Sequence, residues 1–382
     1  MKRKIIWRVF LAVIGLVLCA HPARAESLQE AAQGLIGTLE VDGLDEAVRQ
    51  TGWFEGGVKE LLQKLASGQV VMDASQLLNQ LISSAAGVFR TSLWRMTRLM
   101  APAMLTACAE WLQHGNGMAG KTARYAGLLM TMVFLAADLK EHTELCMHTI
   151  GRMADWMQAL FPLMMTLLAA VGGTASSAFY QPAVMAAAGS MTALIQQVTL
   201  PLAVSVAVLS MAGGLSEGLR VSRLCRLLRQ AACWTLGLGF TVFIGVMSVQ
   251  GVNAAALDGV SIRTAKFAMD RFIPIVGGMF ADTVDTLVGC SLVVHNALGV
   301  LGLLLVLGAL LMPLIRVVMT LFLYRTAAAL LEPVSNSPLC RAIGSYADVF
   351  QLLFVIQLSV GAMFLLLVAQ LMMVANWTVM LR

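Results

Sequence analysis

The chain has 382 residues, 59% hydrophobic and only 12% charged, with a mean hydropathy of +0.80. A soluble domain carries about 25% charged residues, so a freely soluble enzyme or binding module is excluded. Long apolar runs rich in Gly, Ala and Met indicate membrane helices, not the weak alternation of a membrane barrel. The net charge of +5 comes from Lys2, Arg3, Lys4, Arg8 and Arg24. Without the first 25 residues the charges cancel, and no basic stripe with interleaved aromatics points to nucleic acid.

Residues 1–25 read as a secretory signal peptide. A basic start leads into the apolar core Val9–Leu18, then Pro22 and the small-residue site Ala23-Arg24-Ala25, with cleavage expected after Ala25. An uncleaved anchor is the rival reading, and the short core with its Ala-x-Ala ending favours cleavage. Residues 26–83 read as an exported amphipathic segment. From 26 to 80 there are nine acidic and three basic residues. Leu28, Ala32, Leu35, Ile36 and Leu39 share one helical face, as do Val58, Leu61, Leu62 and Leu65. Asp73 with Gln76 resembles a capping box. So short a segment buries too little core to stand alone, so it is expected to dock on the membrane part or a partner; an unattached exported tail is the alternative.

Residues 84–382 read as a multi-pass membrane domain with about seven spans. Leu99–Leu112 and Tyr125–Ala137 are apolar but shorter than the roughly 20 residues a span needs. They read as a re-entrant pair or as thin spans around the turn Gly115-Asn116-Gly117. Trp156–Ala175, Ala183–Gly213, Cys233–Val249, Leu287–Met312, Leu314–Leu331 and Phe350–Val374 follow as stronger segments. Gln196, Gln197 and Pro201 make the second of these a broken or tilted span, and Pro313 with Arg316 separates the fifth from the fourth. Arg220, Arg223, Arg226 and Arg229 recur at three-residue steps and mark a cytoplasmic loop. That placement conflicts with the segment count. If both short pieces cross, the arginine loop falls on the exported side, so one uncertain segment is expected not to cross.

The segment 253–286 carries an unusual charge density between apolar runs. Ile262, Ala265, Met269 and Phe272 make one helical stripe, and Arg263, Lys266 and Asp270 another. Lys266 and Asp270 are spaced to pair. Arg271 follows, Pro274 and Gly277-Gly278 interrupt, and Asp282 and Asp285 suit a helix start. Four ions within nine residues would cost roughly 10 kcal/mol against lipid. The segment therefore rests at the interface, packs inside an assembly or lines a wet cavity. Arg263, Lys266, Asp270, Arg271, Asp282 and Asp285 are the candidate gating or assembly residues.

No motif of chemistry stands out. The sequence has no phosphate loop ending in Lys and Ser/Thr, no G-x-S-x-G elbow and no H-E-x-x-H, so no catalytic, cofactor or metal residues are assigned. The nearest metal-like group is Cys146 with His142 and His148, which lacks a fourth ligand. The seven cysteines and 25 methionines read mainly as packing residues. His295 with Asn296 reads as an interhelical hydrogen-bonding pair.

From about Phe161 onward the chain resembles the stage III sporulation protein AE family. The matching residues are Tyr180-Gln181-Pro182-Ala183-Val184, Leu200-Pro201-Leu202, Ser222-Arg223-Leu224 and Leu227-Leu228-Arg229-Gln230. They continue with Ser248-Val249-Gln250-Gly251, Asp258-Gly259-Val260, Arg263-Thr264-Ala265-Lys266-Phe267 and Ile273-Pro274-Ile275-Val276-Gly277-Gly278. The first 150 residues match in layout more than in motif. The resemblance implies a non-catalytic subunit of the apparatus joining mother cell and engulfed forespore, needed for late forespore gene expression and forespore maintenance. It also implies a place in the mother-cell membrane around the forespore. The implied partners are other stage III sporulation membrane proteins, an associated ATPase, a forespore-side protein and the lipid bilayer, with no cofactor. The competing expectation is a stand-alone secondary transporter, with helices broken at Pro201 and Pro274 around a mid-membrane substrate. An intramembrane enzyme ranks behind both.

Overall fold

A computed structural model describes residues 26–51, 56–69, 74–112, 118–215, 221–272, 277–333 and 338–380, and among them every regular element is helical. Three short helices come first: α1 (Glu26–Thr38), α2 (Asp42–Thr51) and α3 (Val58–Ala66). The long helices follow: α4 (Ala74–Leu112), α5 (Met118–Ala170), α6 (Thr174–Leu194), α7 (Leu200–Leu215), α8 (Ser222–Phe272), α9 (Gly277–Leu331) and α10 (Pro338–Met380). A five-residue π stretch, Ile195–Thr199, joins α6 to α7. Five helical segments, within α5, α6–α7, α8, α9 and α10, are long and apolar enough to cross a membrane.

Several of the apolar pieces read as separate segments share a helix. Tyr125–Ala137 and most of Trp156–Ala175 both belong to α5, and Leu287–Met312 and Leu314–Leu331 both belong to α9. α5 runs on through Pro162 and α9 through Pro313. Leu99–Leu112 is the end of α4, not an independent piece. At 1.5 Å per residue α5 is about 80 Å long, far more than the ~30 Å hydrocarbon core requires. Each long helix therefore continues well beyond any membrane it crosses.

α9 and α10 form the central antiparallel pair, with α5, α4 and the α6–α7 rod around them and α8 on the outer side of that rod. Glycines set the close approaches. A Cβ on Gly361 would collide with Leu310, one on Gly299 with Met372, and one on Gly302 with Leu160. These contacts fix the register of α9 against α10 and α5.

α1–α3 pack on α5 and α9. Ile36, Leu44, Val48, Leu61 and Leu62 are buried in the same continuous core as the long helices, which is the docking the amphipathic faces predict. The Asp45 carboxylate accepts the Val58 N–H at 2.7 Å, supplying α3 with the cap that Gly57 lacks. Lys59 Nζ donates to the Gly37 carbonyl at 3.0 Å. A Cβ on Gly43 would lie 3.3 Å from Ala159 Cβ, so α2 sits beside the second half of α5. The signal peptide with Ala25, and Asp73 of the proposed capping box, lie outside the described residues.

Candidate functional site

Of the charged residues singled out in 253–286, the structure describes the backbone of Arg263, Lys266, Asp270 and Arg271 as the last turns of α8. Asp282 and Asp285 fall in the first turns of α9. Their side chains, and Pro274 between the two helices, lie outside the described part. The segment is thus the tip of α8 together with the start of α9.

A second concentration of polar groups, unpredicted as a unit, cuts across the bundle. Arg95 of α4 pairs with Glu141 at 2.5 Å and with Asp138 at 3.7 Å, both on α5. The Tyr324 hydroxyl of α9 donates to Asp138 Oδ2 at 2.7 Å. One turn on, His142 Nδ1 lies 2.8 Å from the Asp138 carbonyl oxygen, and its Nε2 lies 2.8 Å from Thr320 Oγ1. Phe350 of α10 stacks on Tyr324 with ring centroids 5.0 Å apart and meets the edge of His142. Beside it, Asp348 of α10 pairs with Arg229 of α8 at 3.1 Å and with Arg325 of α9 at 3.5 Å, and Arg325 also donates to Gln351 at 2.8 Å. Five helices meet in this layer.

The half-buried Arg95 guanidinium thus faces two carboxylates, Glu141 and Asp138. The arrangement satisfies ionic groups that would be costly if stranded in hydrocarbon. Chemically it offers mutually paired charges and a buried imidazole in contact with the Thr320 hydroxyl.

A second polar layer lies toward the other end. The Tyr180 hydroxyl of α6 donates to Gln370 of α10 at 3.2 Å, and the Asn296 and Asn376 amides of α9 and α10 meet at 3.2 Å. His295 is fully buried beside them with neither ring nitrogen hydrogen-bonded. The polar residue of the expected His295-Asn296 pair that bridges to another helix is therefore Asn296. From Asp348 to Gln370, α10 rises about 33 Å, close to the thickness of a hydrocarbon core.

The Cys146, His142 and His148 grouping comes apart. His142 and Cys146 are buried, whereas His148 is exposed on the other side of α5. No cluster of three or more metal-type ligands occurs among the described residues.

Sequence reasoning missed the Arg95–Asp138–Tyr324 and Arg229–Asp348–Arg325 groups because their members are far apart in the chain. The visible signal was only that Arg95 and Asp138 interrupt apolar runs. The quoted motifs do bear on both layers, since Tyr180 anchors one and Arg229 the other.

These features define a polytopic helical membrane protein with paired charges layered across its bundle. The chain belongs to the stage III sporulation protein AE family, whose description matches residues 57–375. It is 29% identical over 367 residues to the stage III sporulation protein AE of Bacillus subtilis (strain 168), covering 94% of this chain and 92% of that protein. No solved structure matches it.

Proposed function

We propose that this chain is a non-catalytic, multi-pass subunit of an export or channel apparatus in the membrane that the mother cell wraps around the forespore. In this reading it works with other stage III sporulation membrane proteins, an associated ATPase and a forespore-side protein, and it supports late forespore gene expression. Family membership over residues 57–375 is the observation that carries the proposal. The bundle supports it, since ion pairs and hydrogen bonds link its helices to one another at two levels. Residues 26–66 serve as an exported cap on the bundle, and the tip at 253–286 as an assembly or gating element.

Removing the chain from its endospore-forming host tests this. A late forespore reporter should fall and engulfed forespores should collapse, with both restored by the intact gene. Normal spores without the chain would overturn the proposal.

The transporter reading keeps one supporting feature. The π stretch at Ile195–Thr199, ahead of Pro201, carries Gln196 and Gln197, and such stretches often mark functional sites. Purified chain that carries a solute across liposomes without partners would favour it.

A further inference from the structure

α5 has two unlike sides where it passes between the two polar layers. One side, with Leu139, Cys146, Ile150, Met153, Met157 and Leu160, is buried in the bundle core. The other exposes Lys140, Glu141, Glu144, His148, Asp155 and Gln158. At about 100° per residue they fall on one side of the helix as a stripe, with Gly151 in the seven-residue gap between His148 and Asp155. Lys140 and Glu144, with side chains 76% and 60% exposed, pair at 3.8 Å along the helix as surface residues in water do. Arg152 is half-buried at the edge of the stripe, with its Nε unpartnered.

The depth of this stripe follows from two contacts of α5 with its neighbours. His142 meets Thr320 in the Arg95–Asp138 layer, and Ala159 lies against Gly43 of α2 near the level of the Tyr180–Gln370 layer. The rise from His142 to Ala159 is about 26 Å, so Glu144, His148, Asp155 and Gln158 lie within the interval between the layers, with Lys140 and Glu141 at its edge.

α8 shows what that interval faces elsewhere. Arg229 anchors α8 at the Asp348 layer. Over the next ~30 Å Trp234, Leu238, Val242 and Val249 are exposed, a face fit for lipid. α10 and the α6–α7 rod pack between α8 and α5. One side of the molecule is therefore apolar and another is ionic at the same depth. Exposed ions at hydrocarbon depth are strongly disfavoured against lipid and are found facing a bundle interior or a water-filled cavity.

We infer that the Lys140–Gln158 stripe of α5 lines a water-filled path for small hydrated solutes, closed by neighbouring subunits and walled off from lipid by the rest of the bundle. This rests on the channel-subunit reading and names the surface of the chain that would line the path. The stripe carries both signs of charge, so the path is hydrophilic without selecting strongly for anions or cations.

Single cysteines test the inference in native sporulating membranes, in a chain carrying Cys233→Ser to remove an exposed thiol on the lipid face. Glu144→Cys, His148→Cys and Asp155→Cys should react with a membrane-impermeant methanethiosulfonate within about tenfold of the rate at Lys59→Cys on the surface of α3. Leu238→Cys and Val242→Cys should react at least a hundredfold more slowly. Gln158→Cys replaces any α5 variant that fails to accumulate. If the α5 positions label as slowly as Val242→Cys, protein or lipid covers the stripe and the inference is overturned. The late forespore reporter, read in the same cells, is a separate measurement. Fast labelling with a failed reporter in the deletion and rescue test leaves the wet surface standing and sinks the channel-subunit reading alone.

Discussion

Tyr324 and Arg95 show how single residues hold the charged layer together. Tyr324 fixes one oxygen of Asp138 with its hydroxyl, and its ring packs on Phe350 and Tyr346. Tyr324→Phe keeps the rings and removes the bond, leaving a poorly hydrated carboxylate oxygen short of a donor. The loss should cost about 1–3 kcal/mol, seen as a lower thermal midpoint in detergent. Arg95→Leu should be at least as damaging, because it strips the cation from both Asp138 and Glu141. Lys64→Ala is the matched control. Its pair with Glu60 is exposed at 41% and 54%, and such pairs contribute about 0.2–1 kcal/mol. Equal midpoint shifts in all three variants would show that the layer adds nothing beyond an ordinary surface pair.

At the scale of elements, the helices and their apolar faces were legible in the sequence, and their continuity was not. Ala32, Ile36, Leu61 and Leu62 face the core as their spacing predicts. The breaks expected at short apolar pieces and at Pro313 did not occur, because flanking helices support a proline inside a membrane helix. Nothing local in Lys140–Asp155 revealed that most of these charges fall on the exposed side of a helix whose other side is largely apolar. That distinction needs the partners of α5, which lie up to 200 residues further along. Close packing of α9 and α10 sets one test here. Gly361 meets Leu310 so tightly that Gly361→Leu must push the two helices apart. It should lower the thermal midpoint by an amount equivalent to about 1–3 kcal/mol, whereas Gly245→Leu, with open space around it, should not. The α8 tip supplies another. Lys266 and Asp270 are four apart on a helix that the structure carries through Phe272. Lys266→Glu or Asp270→Lys alone should therefore reduce spore yield more than both together, and equal loss in all three would rule out their pairing.

For the whole molecule, the merged helices remove the conflict between the arginine loop and the number of crossings. Counted as separate spans, the apolar pieces put Arg220–Arg229 on the same face as the exported start. Followed as helices, they do not, provided that α4 crosses. α4 is not among the five segments apolar enough to cross, but it rises about 32 Å from Ala74 to Arg95, enough for the interval between the two layers, and we predict that it crosses. α5 returns across the same interval, and the α6–α7 rod crosses it once more. With α4 crossing, three crossings would separate α1–α3 from the α7–α8 junction and leave the arginines facing the cytoplasm, as positive flanks should. α8 would then cross back, with the 253–286 tip on the face of α1–α3, and α9 and α10 would bring the total to six. A reporter active only after export decides this. Fused after Arg229 it should be silent, and fused after Trp377, near the end of α10, it should be active. Activity after Arg229 would mean that α4 does not cross. The two layers would then no longer mark opposite faces of the bilayer, and the depth assigned to the stripe on α5 would fall with them.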